Sequence, residues 1–162
     1  MNLTKANIKD LRKVTVKIES SNNSEGSGTI VSVEGTLYVL TAAHIIKDET
    51  KDGPLDKGDI VVTLMRNSQK YTLAVDEVVY YNKPEEGDAT VLRVKKLDGM
   101  PTSGFDRVRL LTTDIPGQAV LCGFHKGDTS LKIYNVVKRG EKNWASTDIQ
   151  LQLQNLSPKI NP

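Results

Sequence analysis

The sequence predicts an all-β protein made of two antiparallel β-barrels, of which the second is incomplete within the 162 residues. Three observations support this fold class. Short runs rich in β-branched and apolar residues alternate with polar turns, no long helical pattern interrupts them, and a Gly- and Pro-containing segment divides them into two groups. The predicted units are an N-terminal barrel at 1–97, a linker at 98–104 and the first part of a C-terminal barrel at 105–162.

The first group contains six predicted strands. A helical lead-in at Ala6–Arg12 precedes the first of them, Val14–Ile18, which alternates apolar and charged residues as a half-buried strand does. The next two, 26–33 and 36–41, flank the short turn Glu34-Gly35 and therefore predict a hairpin. Since six antiparallel strands without long helices are most economically arranged in a closed barrel, we expect one here. The remaining three predicted strands are Ile60–Met65, the long and bent Lys70–Tyr81, and Ala89–Val94.

The second group contains four predicted strands, two fewer than the first. They are Val108–Leu111, Gln118–Phe124, Leu131–Val137 and Thr147–Gln154. Four strands would leave a sheet edge open, which natural proteins avoid. We therefore expect the second barrel to need strands from outside these residues.

Composition argues against several classes of partner. The 22 basic and 20 acidic residues give a net charge of +2, and the basic residues are scattered, which argues against nucleic acid. No apolar run approaches the ~20 residues that span a bilayer, so no membrane association is expected. Met1–Ala6 lacks the apolar stretch of a secretory signal, and the single cysteine, Cys122, has no partner for an internal disulfide. Together these features predict a cytoplasmic protein.

Two residues could form a catalytic pair. His44 follows the second hairpin strand at a corner of small residues, Thr41-Ala42-Ala43, where its ring can face a cleft. Asp88 stands at the mouth of the apolar strand Ala89–Val94. A carboxylate in such a place can accept an imidazole N–H, which fixes the tautomer and stabilises the imidazolium formed when the other nitrogen takes a proton. Taken singly, each residue is more typical of a structural role, as a surface histidine or a turn-capping aspartate.

The motifs around this pair resemble those of the chymotrypsin-like (trypsin-like) serine proteases, and most closely their HtrA (DegP-like) branch. Thr41-Ala42-Ala43-His44 resembles the histidine motif and Gly87-Asp88-Ala89-Thr90-Val91-Leu92 the aspartate motif. The three further matches are the Gly-Ser-Gly strand at 26–31, the second-barrel segment at 116–124, and Asp148-Ile149-Gln150 leading to Ile160-Asn161-Pro162. All five occur in the family's order.

The resemblance implies a serine endopeptidase with a double-barrel fold. His44 would be the general base and later the general acid, and Asp88 its orienting partner. The substrate would be a polypeptide bound as an extended strand between the barrels. No cofactor is implied, and two histidines without a spaced Cys, His or acidic cluster predict no metal site.

The resemblance places the nucleophile outside these residues. In the HtrA branch, Ile-Asn-Pro is followed at once by Gly-Asn-Ser-Gly-Gly, so the serine and its oxyanion N–H groups are expected beyond residue 162. Ser157 precedes Pro158 without Gly-rich surroundings, and Cys122 is expected as a small core residue. A remaining C-terminal segment or a separate chain would complete the second barrel, and these residues alone are expected to be inactive.

The sequence is also compatible with other interpretations. The chain could stop early, could come from a protease nicked after Pro162, or could be a natural pseudoprotease. A different class of function is a catalytically inactive barrel pair that binds peptides or holds partners. A cysteine nucleophile in place of the serine is a further alternative. The residues that follow Pro162 distinguish these readings.

Overall fold

Six antiparallel strands close into a barrel in the first half of the chain, and three more form a separate sheet. The structure, a computed structural model, describes residues 5–109, 118–128, 130–138 and 144–146. A mostly β protein with a closed six-stranded barrel is therefore confirmed. No helix in these described ranges is long and apolar enough to cross a membrane.

The barrel contains all six strands that the sequence predicts in this half. They are β1 (Thr15–Ser20), β2 (Glu25–Val33), β3 (Thr36–Thr41), β4 (Ile60–Arg66), β5 (Gln69–Asn82) and β6 (Ala89–Val94). Around the barrel their order is β1-β2-β3-β6-β5-β4. The predicted lead-in is also present as α1 (Lys5–Val14).

Two tight turns set the register of the hairpins. Glu34 and Gly35, between β2 and β3, have φ angles of 51° and 82°. Asn67 and Ser68, between β4 and β5, have φ angles of 51° and 61°. A two-residue hairpin turn of type I′ requires positive φ at both central residues, and its twist matches the twist of the flanking strands. Both turns lie where the sequence predicts them.

The core fills the barrel interior with alternate residues of each strand, because successive side chains of a strand point to opposite faces. Most of the fully buried residues of the strands are aliphatic, and they include Val16, Ile18, Ile30, Val39, Val62, Leu64, Leu73 and Leu92. Burying each such side chain stabilises the fold by about 1.5–3 kcal/mol. The predicted bend of β5 is present as two register shifts, between Val75 and Glu77 and between Val78 and Tyr80.

The segment that leaves the barrel is held by a buried arginine. Arg66, at the end of β4, donates hydrogen bonds to the Ser103 carbonyl at 3.2 Å and to Ser103 Oγ at 2.9 Å. Its guanidinium also lies 5.5 Å from the centre of the buried Phe105 ring. Burial lowers the pKa of Arg66 below its ordinary value. These contacts attach the linker and the short 3₁₀ turn Phe105–Arg107 to the barrel.

The second half of the chain is described as one antiparallel sheet. Its strands are β7 (Gln118–Phe124), β8 (Leu131–Lys138) and β9 (Trp144–Ser146), in that spatial order. The first two match predicted strands, whereas β9 is not predicted from the sequence. Val108 and Arg109 are not in a strand, and the rest of the predicted strand at 108–111, like that at 147–154, lies outside the described residues. Closure of a second barrel, and the unit limits at 97 and 104, stay predictions.

Candidate functional site

His44 and Asp88, 44 positions apart in the sequence, are in direct contact. His44 Nδ1 lies 2.7 Å from Asp88 Oδ2, and the main-chain N–H of His44 donates to Asp88 Oδ1 at 2.8 Å. One carboxylate therefore holds both the ring and the backbone of one residue. Since an ionised carboxylate can only accept, Nδ1 is the nitrogen that donates to it, and in the neutral ring Nε2 then keeps its lone pair.

The two side chains differ in their access to solvent. The His44 side chain is 60% exposed, whereas the Asp88 side chain is 21% exposed. The carboxylate is therefore sheltered beside the barrel while the imidazole is open to an incoming molecule. This arrangement leaves Nε2 as the atom that can exchange a proton with a reactant.

The strand order of the barrel explains why these residues meet. β3 and β6 are neighbours, and Thr41 at the end of β3 pairs with Thr90 near the start of β6. In an antiparallel pair, the residues just after one strand lie beside those just before the other. His44 follows β3 and Asp88 precedes β6, so both lie at the same end of the barrel.

A short 3₁₀ turn at Ala43–Ile46 orients the histidine. Ala43, Ile45 and Ile46 are buried under the end of the barrel. Because three of the four residues face inwards, His44 is the residue of this turn that points to solvent. These buried residues thus hold the 3₁₀ turn against the barrel, and this turn fixes the position of the His44 ring.

A second turn fixes Asp88. The main-chain N–H groups of Glu86, Gly87 and Asp88 all donate to the Lys83 carbonyl, at 2.9, 3.0 and 3.0 Å. Asp88 itself has a φ of 50°, a left-handed conformation that costs a non-glycine residue about 1–2 kcal/mol. Aspartate tolerates this region better than most residues. The turn therefore ends in a strained residue whose carboxylate faces His44.

Ion pairs connect the loop after His44 to the turn before Asp88. Lys83 Nζ lies 2.6 Å from Asp52 Oδ2, and this hydrogen bond raises the pKa of Lys83. Lys47 Nζ lies 3.9 Å from Glu85 Oε1. These exposed pairs are of the kind that contributes at most about 1 kcal/mol. They tie together two segments that each lead to one member of the pair.

The Gly-Ser-Gly segment of β2 is shaped by its neighbours. A Cβ at Gly26 would overlap Ile45 of the 3₁₀ turn, and a Cβ at Gly28 would lie 2.9 Å from the Leu40 carbonyl oxygen. Gly28 therefore requires glycine for close packing against the backbone, whereas a side chain at Gly26 would displace the end of Ile45. Ser27, between them, accepts a hydrogen bond from the Phe124 N–H through Oγ at 2.7 Å. This contact joins the barrel to β7.

Sequence reasoning missed the part that Ser27 plays. The sequence identifies its motif only through the family resemblance, because a contact between residues 97 positions apart leaves no periodic pattern. One signal of this contact is present in the sequence, because both segments contain small residues. Gly123 of β7 lies so close to Ser27 of β2 that a Cβ at position 123 would be 2.8 Å from Ser27 Oγ.

Two further contacts seat the second sheet on the barrel. Glu25 Oε2 accepts the Gly127 N–H at 2.7 Å, and this bond is the main cause of the lowered pKa of Glu25. Thr15 Oγ1 lies 3.4 Å from Cys122 Sγ. Burial raises the pKa of the Cys122 thiol, so the thiol stays protonated. Cys122 therefore packs as a small neutral side chain between the two units.

The other polar residues weighed from the sequence do not join the pair. His125 is exposed, and its Nε2 lies 2.5 Å from Tyr134 Oη. Ser157 lies outside the described residues. Among the residues described, no group of three or more His, Cys, Asp and Glu side chains is placed to hold a metal ion.

The chain was compared with protein-family models and with curated proteins. No protein-family model matches the chain, and no curated protein matches it. The geometry of His44 and Asp88 is thus the starting point for a functional proposal.

Proposed function

We propose that this chain is the larger, N-terminal part of a serine endopeptidase, and that His44 and Asp88 are two members of its Ser-His-Asp triad. The observation that carries the proposal is the orientation of the His44 ring towards Asp88. His44 Nδ1 faces Asp88 at 2.7 Å, and the other ring nitrogen belongs to a side chain that is 60% exposed. A general base for a hydroxyl needs a positioned nitrogen lone pair of this kind.

In the proposed reaction, His44 moves one proton in each half of the cycle. A serine hydroxyl from residues beyond 162 gives its proton to Nε2 while its oxygen bonds to the peptide carbonyl carbon. The imidazolium then gives this proton to the leaving amine nitrogen as the C–N bond breaks, which leaves an ester on the serine. Water repeats the sequence, with Nε2 as base, and releases the acid and the free hydroxyl.

Asp88 supports this proton transfer in two ways. Its Oδ2 accepts the Nδ1 proton and so stabilises the positive ring that forms during attack. Its Oδ1 accepts the main-chain N–H of His44, which holds the carboxylate at a fixed angle to the ring. With both oxygens bonded, rotation of the carboxylate would break two hydrogen bonds at once.

The proposed substrate is a polypeptide in extended conformation. It would lie in the cleft between the barrel and the second unit and add to a strand edge of that unit. This mode of binding uses main-chain hydrogen bonds, so it needs no cofactor.

The experiment that tests the proposal labels the full-length protein, with whatever residues follow Pro162, using a fluorophosphonate probe. We expect labelling of the wild type and loss of labelling in His44→Ala. His125→Ala is the matched control, since it removes the second histidine and should be labelled like the wild type. Labelling that is absent, or that persists in His44→Ala, would leave an inactive peptide-binding barrel pair as the better description. A thiol-selective probe separates a cysteine nucleophile from a serine.

A further inference from the structure

Ser27 makes hydrogen bonds in two directions from the middle of the contact between the barrel and the second sheet. Its main-chain carbonyl accepts the Thr41 Oγ1 hydroxyl at 2.8 Å. Its own Oγ accepts the Phe124 N–H at 2.7 Å. One residue is therefore bonded both to the strand that leads to His44 and to β7.

The first of these bonds fixes the corner that carries the histidine. Thr41 is the last residue of β3, and the 3₁₀ turn with His44 begins two residues later. Ile45 of the same turn fills the space beside Gly26, the neighbour of Ser27. The start of β2 thus contacts the His44 corner on both sides of the histidine.

The second bond fixes the end of β7. Gly123 allows β7 to approach, because a Cβ at this position would lie 2.8 Å from Ser27 Oγ and 3.3 Å from Ser27 Cβ. Gly28, next to Ser27, packs closely against Val39, Ile18 and the Leu40 carbonyl, which holds β2 against its neighbours. Ser27 is therefore the residue that links the His44 corner directly to β7, beside the Glu25–Gly127 and Thr15–Cys122 contacts.

We propose that Ser27 is a positioning residue of the candidate active site, which holds the second unit at the distance that the nucleophile needs from His44. The inference rests on the proposed function, in which that unit supplies the serine. Misplacement of reacting groups by about 1 Å can lower a rate by about 10²-fold. Ser27 would act on the rate through this distance and would leave the His44–Asp88 pair itself unchanged.

Two variants alter the contact from opposite sides. Ser27→Ala removes the acceptor of the Phe124 N–H, and Gly123→Ala keeps the hydroxyl but places a Cβ 2.8 Å from it, so that either the Ser27 side chain or β7 must move. In the full-length protein, we expect each to lower the limiting rate of fluorophosphonate labelling by about 10- to 100-fold, with a nearly unchanged half-saturating probe concentration. The double variant should lose less than the product of the two effects, because both act on one contact.

Two further readouts separate positioning from general loss of structure. Amide hydrogen exchange at Phe124 should become faster in Ser27→Ala, while the low-field proton resonance of His44 Nδ1–H stays in place. Ser32→Ala is the control, since Ser32 lies on the same strand and its side chain makes no hydrogen bond within the described residues. All variants are compared at a temperature where circular dichroism shows them to be fully folded.

The outcomes distinguish this inference from the proposed function. If the wild type is labelled and both variants react at the wild-type rate, the positioning role is wrong and the endopeptidase proposal stands. If the resonance of His44 moves in Ser27→Ala, Ser27 acts on the pair itself and the inference is overturned. If the wild type shows no labelling that depends on His44, both proposals fail together.

Discussion

Asp88 binds His44 twice, accepting the ring Nδ1–H at 2.7 Å and the main-chain N–H at 2.8 Å. This double contact makes Asp88→Asn an informative substitution. The amide oxygen can still accept the main-chain N–H, but the amide NH₂ then faces Nδ1 and can only donate to it. The ring proton therefore moves to Nε2, and the lone pair needed for a general base is lost. We expect the labelling rate of the full-length protein to fall by about 10⁴-fold.

The tautomer can be measured directly, and this measurement needs no activity. In ¹⁵N NMR spectra of the neutral ring, the proton should lie on Nδ1 in the wild type and on Nε2 in Asp88→Asn. Asp98→Asn, at an exposed position of the linker, should retain the wild-type spectrum. Identical spectra for all three proteins would show that Asp88 does not set the tautomer.

Arg66→Ala should destabilise the barrel end. The change leaves the Ser103 carbonyl and hydroxyl without their donors and removes the cation from the face of Phe105. Ser103 is exposed and can bond to water instead, so the decrease in the free energy of unfolding comes mainly from the cavity that the buried Arg66 side chain leaves, and we expect about 1–3 kcal/mol. Urea denaturation measures it. Arg107→Ala, at an exposed position nearby, should stay within about 0.5 kcal/mol of the wild type, and an equal loss in both would contradict the role assigned to Arg66.

Gly28→Ala should destabilise the barrel more than an ordinary glycine substitution. The new methyl group would lie 2.8 Å from Val39 Cγ1 and 2.9 Å from both Ile18 Cδ1 and the Leu40 carbonyl oxygen. Overpacking against backbone on one side predicts a loss of about 1–3 kcal/mol, measured by thermal or urea unfolding. Gly58→Ala is the control, because nothing lies within 4 Å of the added atom and restriction of the unfolded chain should stabilise by about 0.4–1 kcal/mol. Similar effects at both positions would contradict the predicted crowding.

The contact between Glu25 and Gly127 should weaken in acid. The Gly127 N–H, which donates to the carboxylate, is the main reason that the pKa of Glu25 lies below its ordinary value of 4.5. The unfolded chain then binds more protons than the folded chain between these two pKa values, so stability falls as the pH falls through this window. Above pH 4.5 the contribution of Glu25 is complete.

The amide resonance of Gly127 reports on this titration. Its chemical shift should follow the pKa of Glu25 below pH 4.5 in the wild type and lose this dependence in Glu25→Gln. Glu49→Gln provides a control, since Glu49 is an exposed residue of the loop that follows His44. A Gly127 shift that titrates alike in wild type and Glu25→Gln would show that another group controls it.

The first half of the fold was predictable because its signals are local. Alternation within strands and the two turns at 34–35 and 67–68 are read from neighbouring residues, and they were sufficient to predict six strands and a barrel. The pairing of His44 with Asp88 was predicted from their positions at strand ends together with the resemblance to a known family, because local patterns do not show which strands are neighbours. A local pattern cannot give the distances in the pair, nor the second bond from Asp88 to the main chain.

The features that sequence reasoning missed depend on contacts distant in the chain. β9 is only Trp144–Ser146 and exists through its pairing with β8, so no run of its own reveals it. The attachment of the linker depends on Arg66 and Ser103, 37 positions apart. The bond from Phe124 to Ser27 likewise spans the two units. In each case tertiary packing, and not intrinsic preference, decides the structure.

Closure of the first barrel has a consequence for self-association. Each of its strands pairs with two others, so the ring of pairings has no terminal strand. Strand exchange and fibre-like growth both require an unpaired edge. A second copy of this protein cannot extend the barrel without first opening it, at the cost of a complete strand pairing. Any aggregation that starts from the folded state by strand addition should therefore begin elsewhere in the chain.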